Sequence, residues 1–168
     1  MKHPEIVASL CTALVGLLLI VIGGATPQWA KDDLGRYAGL FDVCGPDRCV
    51  SYLPEGGIAA AKALVAIGLL LSLIPHGLLL RYYFIFIRRD TTHMVLPIIT
   101  ASLHLGAAGV ALIGCIVFAT SGKSVVESAF NVPVDLGYSF ALTTVGSILY
   151  GVTGALTLVH RMALQNPT

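Results

Sequence analysis

The sequence predicts an all-α membrane protein, a four-transmembrane-helix bundle carrying a small extracellular β-hairpin or sheet pinned by a disulfide. Three observations carry that expectation. Of 168 residues, 56% are hydrophobic and 11% charged, less than half the roughly 25% charge of a soluble domain, and the mean hydropathy is +0.85. Four apolar runs (6–25, 58–80, 95–119 and 136–159) have Lys62 as their only charged residue. Each reaches the roughly 20 residues that a helix needs to cross ~30 Å of hydrocarbon. Between the first two runs, Cys44 and Cys49 flank a short turn.

The first run is preceded by Lys2 and followed by Gly23-Gly24-Ala25, features that a cleaved secretory signal shares. Its apolar length exceeds the roughly 7–15 residues of a signal core, so it is read as a span. The chain is then one domain, 1–168, with loops 26–57 and 120–135 on one side and both termini on the other. Positive charge does not orient it. Lys2, Arg81, Arg88, Arg89 and Arg161 face Lys31, Arg36, Arg48, Lys123 and Lys62, five against five. Acids crowd the loop side (Asp32, Asp33, Asp42, Asp47, Glu55, Glu127 and Asp135) but weigh little in the charge rule.

The first loop contains a local signal. Gly45-Pro46-Asp47-Arg48 is rich in turn formers, and Phe41, Val43, Val50 and Tyr52 around it favour strands. A hairpin there sets Cys44 opposite Cys49, close enough to bond. Two free thiols are the alternative. A metal pair would be half a zinc site, because this loop has no histidine. A disulfide requires an oxidising compartment. The loop is then extracellular and the termini cytosolic.

Trp29 and Pro27 mark the end of the first span, where an amphipathic indole belongs among lipid head groups. After the second span, Arg81-Tyr82-Tyr83-Phe84-Ile85-Phe86-Ile87-Arg88-Arg89-Asp90 reads as a helix leaving the membrane, with its arginines among head groups. Small residues recur at contact spacing: Ala8, Thr12 and Gly16; Gly68 and Ser72; Ser147, Gly151 and Ala155. Such stripes seal helices together within a bundle. Cys11 and Cys115, inside spans, read as inert packing residues.

Function classes narrow in turn. A net charge of +1 without clustered cations points away from nucleic acid. There is no phosphate-binding glycine loop, HExxH, nucleophile elbow or CxxC. No carboxylate lies within a span to pair with His76 or His104, which are expected to hydrogen-bond to the neighbouring hydroxyls of Ser72 and Ser102. The expectation is a protein that is not an enzyme, with no cofactor and no metal.

Trp29, then Gly39-Leu40-Phe41, then Cys44 and Cys49, resembles the W–GLW–C–C signature of the claudin superfamily. That group includes the peripheral myelin protein, the epithelial membrane proteins, the lens fibre membrane intrinsic protein and the claudins. Ala60-Ala61-Lys62-Ala63-Leu64 is similar to the AARAL-type entry to that family's second span, with Lys62 where Arg is usual. Phe41 stands where the signature has its second Trp, and the short spacings match the lens protein better than the claudins. The resemblance implies a left-handed four-helix bundle capped by an extracellular sheet. Cys44–Cys49 would be the family disulfide, and Trp29, Leu40 and Phe41 would seat the sheet on the helix ends.

The function expected is that of a multi-pass plasma-membrane protein of cell–cell junctions or membrane organisation. It would associate laterally or between cells through its outer loops, its partners being the bilayer and either itself or another membrane protein. The alternative is an auxiliary subunit of a channel or receptor. Candidate contact residues are Tyr37, Tyr52, Phe130 and Val132. Phe130 is favoured because a short second loop offers little core to bury it. Lys62, about one turn inside its span, is expected to snorkel and donate to loop carbonyls or a loop acid.

Overall fold

The computed structural model of the chain describes residues 4–45, 47–51, 56–89 and 95–165. Helix α1 is Pro4–Ala25, α2 Gly56–Arg89, α3 Val95–Val117, α4 Lys123–Phe130 and α5 Tyr138–Gln165. Strands β1 (Ala30–Lys31), β2 (Tyr37–Ala38), β3 (Asp42–Cys44) and β4 (Cys49–Ser51) lie between α1 and α2, and β5 (Asp135–Leu136) precedes α5. Four helical stretches are long and apolar enough to cross a membrane: Pro4–Ala25, Gly56–Ile85, Val95–Phe130 and Tyr138–Ala163.

Their packing is inverted relative to a soluble bundle. The buried stripe of α1 is Ile6, Ser9, Ala13, Gly16, Ile20 and Gly23, at the three- and four-residue steps of one helical face. Ser72, Thr100, Thr143, Ser147 and Thr153 are wholly buried, whereas Leu18 is 59% and Leu70 64% exposed. Small and hydroxyl residues face the helices; large apolar ones face away. Helices that gain nothing hydrophobic by associating pack through small residues in this way. The α1–α5 crossing shows it directly: a Cβ on Gly146 would sit 2.8 Å from the Gly16 carbonyl, and one on Gly23 would sit 2.7 Å from the Ser139 carbonyl. Along the bundle α1 packs on α5, α5 on α3 and α3 on α2, while α1 and α2 meet much less.

The structure corrects the predicted stripes. Gly16, Gly68 and Ser147 are buried contact residues, but Ala8 and Ala155 point outward, and Gly151 has open space at its Cβ position. Cys115 is buried as expected, whereas Cys11 is an exposed free thiol on the outer face of α1.

The cap is larger than the hairpin predicted for it. The five strands form one antiparallel sheet in the order β4-β3-β2-β1-β5. Its outer hairpin has the expected register, with Cys44 opposite Cys49, Val43 opposite Val50 and Asp42 opposite Ser51. The β1–β5 pairing ties the second loop to the first.

That second loop is not the open link expected over 120–135. The third helix runs on through a π-helical turn, Phe118–Gly122, into α4, and ends where Asn131 adopts a left-handed conformation at φ 56°. Nothing from Lys123 to Phe130 breaks a helix, Val126 supplies a buried contact, and Lys123 and Glu127 approach to 3.7 Å one turn apart. The turn lies against the start of α2 so closely that a Cβ on Gly57 would fall 2.6 Å from the Gly122 nitrogen.

Candidate functional site

The residues singled out by the sequence converge on the sheet end of the bundle. Trp29 is fully buried there rather than placed in a peripheral belt. Its Nε1–H donates to the Gly23 carbonyl at 2.8 Å, one of the carbonyls that a helix end leaves without an intrahelical partner. Its ring meets Phe118 edge-on at 4.9 Å and Phe140 at 5.8 Å. Its backbone joins two strands of the cap to the helices: its N–H donates to Ala38, and its carbonyl accepts from Gly137. Trp29 is thus the plug on which the sheet sits.

Gly39 lets the chain fold under that plug, because a Cβ would lie 2.6 Å from the Pro27 Cα. Leu40 is buried in the same core. Phe41 sits less deeply than Trp29 and Leu40: the residue is 45% exposed, and its ring lies beneath the Lys62 ammonium of α2, 4.3 Å from Nζ to centroid. Lys62 therefore meets an aromatic face, worth about 0.5–2 kcal/mol depending on its hydration. Among the described residues it forms no ion pair with a loop acid.

Cys44 and Cys49 are joined by a disulfide with their Cα atoms 3.9 Å apart. The turn they enclose is closed by the Gly45 N–H donating to the Arg48 carbonyl at 2.9 Å. A loop this short gains about 2 kcal/mol from the cross-link in the chain-entropy picture, enough to hold a two-stranded element that is marginal alone. The Ser51 hydroxyl donates to Asp42 at 2.6 Å and fastens the open end.

Two residues that sequence reasoning passed over organise the inner hairpin. Asp32 accepts from the backbone N–H of Leu34 and of Arg36, and pairs with the Arg36 guanidinium. Gly35 supplies the positive φ of 79° that closes the turn. Asp-x-x-Gly at 32–35 was a readable turn signal. Burial would raise the Asp32 carboxyl, but the Arg36 backbone and guanidinium hydrogen bonds and charge together hold it below the usual aspartate value.

Arg36 then reaches the end of α4. It donates to the Phe130 carbonyl at 3.2 Å, and its guanidinium lies 4.4 Å from the Phe130 ring centroid. A cation at the last carbonyls of a helix complements its dipole. Phe130 is consequently half-buried against the core and covered by Arg36, not projected from a bare link. Tyr37 and Val132 are half-buried as well; Tyr52 lies outside the described residues. Apolar side chains that project from the cap include Leu34 at 67% and Val50 at 52% exposure, with Phe41, Leu136 of β5 and Tyr138 just after it.

Deeper in the bundle, His76 and His104 adjoin, with ring centroids 5.2 Å apart, but not through the expected hydroxyls. The His76 nitrogens face the carbonyls of Ser72 (2.6 Å) and Ala13 (2.9 Å), while the Ser72 hydroxyl meets Tyr150 at 3.0 Å. Ser102 faces outward, and Nδ1 of His104 meets the Thr100 carbonyl at 3.0 Å instead. These contacts tie α1, α2, α3 and α5 together and have the form of packing. Among the described residues no three His, Cys, Asp or Glu side chains group to hold a metal ion.

No protein-family model matches the chain, and no curated protein matches its sequence.

Proposed function

We propose that this is a non-enzymatic, four-span plasma-membrane protein of the claudin-superfamily type. In this reading its cap is extracellular, both termini are cytosolic, and it acts by associating with further copies of itself, laterally or between cells. Large exposed apolar side chains on α1, α2, α3 and α5 support insertion, since a soluble monomer rarely exposes apolar patches beyond a few hundred Å². The Cys44–Cys49 disulfide supports an extracellular cap.

The observation that carries association is the outer strand of the sheet. β4 ends the strand order, and its residues Cys49, Val50 and Ser51 are all exposed. Such an edge presents unpaired backbone groups that template another strand, and the disulfide keeps this one extended and presented. Val50 adds an apolar side chain to it.

Two differently tagged copies, co-expressed and extracted in mild detergent, test the proposal. Val50→Lys should preserve surface delivery and weaken co-purification of the copies. Unchanged co-purification of Val50→Lys, or stoichiometric recovery of a large heterologous pore protein in place of a second copy, overturns it; the latter outcome supports an auxiliary subunit.

A further inference from the structure

Resting on the membrane-spanning reading, we propose that the groove between α1 and α2 at the cap end is a binding site for a phosphate-bearing lipid. One acyl chain lies in the groove, and the lipid phosphate rests on the Lys62 ammonium.

The groove arises because α1 packs on α5 rather than on α2. It encloses about 210 Å³ and is lined by Ile20, Val21, Leu40, Val65 and Leu69, with Phe41 and Lys62 among its walls. Two features keep it open: Gly24 has nothing within 4 Å of where its Cβ would be, and α2 contributes the small Ala66 to its lining. A water would need two to four polar partners, and these walls are almost wholly apolar. A hydrocarbon chain needs none.

The charge decides which lipid. Among the described residues Lys62 is the only charged group lining the groove, set in the second turn of α2. Among the described residues no carboxylate lies within ion-pair distance of it. The half-exposed Phe41 ring takes one side of the ammonium, so that among the described residues its remaining donors are free for an acceptor. A lone ammonium at the end of a span sits at head-group depth. The acceptor present there in every phospholipid is the phosphate, which a lysine binds as a point charge. A sterol fits the apolar part of the groove but brings only a neutral hydroxyl to Lys62.

The test is native mass spectrometry of the full chain released from nanodiscs containing phosphatidylcholine, phosphatidylglycerol and cholesterol. Wild type should retain one phospholipid, Lys62→Arg should retain it, and Lys62→Met should lose about tenfold in occupancy, the scale of one charge-assisted contact. A photoactivatable phospholipid should cross-link wild-type protein within residues 20–25 and 62–69, which needs no variant to fold. Equal phospholipid occupancy in Lys62→Met and wild type, cholesterol as the retained species, or cross-links confined to other helices would overturn the proposal while leaving insertion intact. A chain that never enters nanodiscs and is extracted by alkaline carbonate would instead overturn the membrane reading beneath it.

Discussion

Removing the Trp29 ring should unseat the cap from the bundle. The indole is wholly buried, packs edge-on against Phe118 and Phe140, and supplies the donor for the Gly23 carbonyl. Trp29→Ala deletes all three contributions; core truncations of this size cost about 3–5 kcal/mol. Trp29→Phe keeps most of the ring packing and loses the donor, leaving the carbonyl with a long 3.5 Å contact from the Thr26 hydroxyl. That loss is worth about 1–3 kcal/mol. For a chain of this size each kcal/mol moves the midpoint by about 2–4 °C. Thermal melts in detergent, followed by far-UV circular dichroism, should therefore place Trp29→Ala about 6–20 °C below wild type, with Trp29→Phe between them. Because Trp29 is the only tryptophan, its emission in the native protein should also be blue-shifted and shielded from an aqueous quencher. A Trp29→Ala melt coincident with wild type, or a readily quenched indole, would refute the buried-plug reading and return Trp29 to the head-group belt.

Other perturbations separate the remaining contacts. The Asp32 carboxyl is held below the ordinary aspartate value of 3.8 in the folded state, so its contribution is present above that pH and fades as pH falls through the lower folded value. Asp32→Asn should therefore melt lower than wild type at pH 7, with the gap narrowing in melts taken below about pH 4. Gly23→Ala forces a Cβ to within 2.7 Å of the Ser139 carbonyl, whereas Gly151→Ala meets open space. The first should lower the melting midpoint sharply and the second leave it unchanged or slightly raised, so equal effects would refute the α1–α5 packing. With alkylation of non-reduced protein in mild detergent, mass spectrometry should find Cys11 modified, Cys115 protected by burial and Cys44–Cys49 intact.

Sequence legibility followed the range of the interactions. The spans were readable because apolar length is a local property, and the outer hairpin because its turn residues and both cysteines lie within a few positions. The phase of the helices was hidden. No charged face orients the spans, so Ala8, Gly151 and Ala155 looked as suited to an interface as Gly16 and Ser147. The polar stretch from Thr120 to Ser128 resembled a loop, yet it continues a helix whose only strong stop is Asn131. Trp29 was ambiguous for a further reason. An indole at a span end suits either a head-group belt or a core, and only Phe118 and Phe140, brought in by tertiary packing, decide between them. The Arg36–Phe130 contact spans 94 positions, and no local pattern announces it. Asp32 and Gly35 did announce their turn, but not what the turn presents.

Sidedness is the most direct test of a four-span protein with an extracellular sheet cap. Leu34 is 67% exposed at the tip of the inner hairpin, so a Leu34→Cys variant offers a thiol on the cap surface, and an epitope fused after Thr168 marks the other end. In intact cells a membrane-impermeant maleimide should label Leu34→Cys well above wild type, and the epitope should become accessible to antibody only after permeabilisation. An epitope readable on intact cells, with Leu34→Cys protected until the membrane is opened, would contradict the topology and the association mechanism built on it.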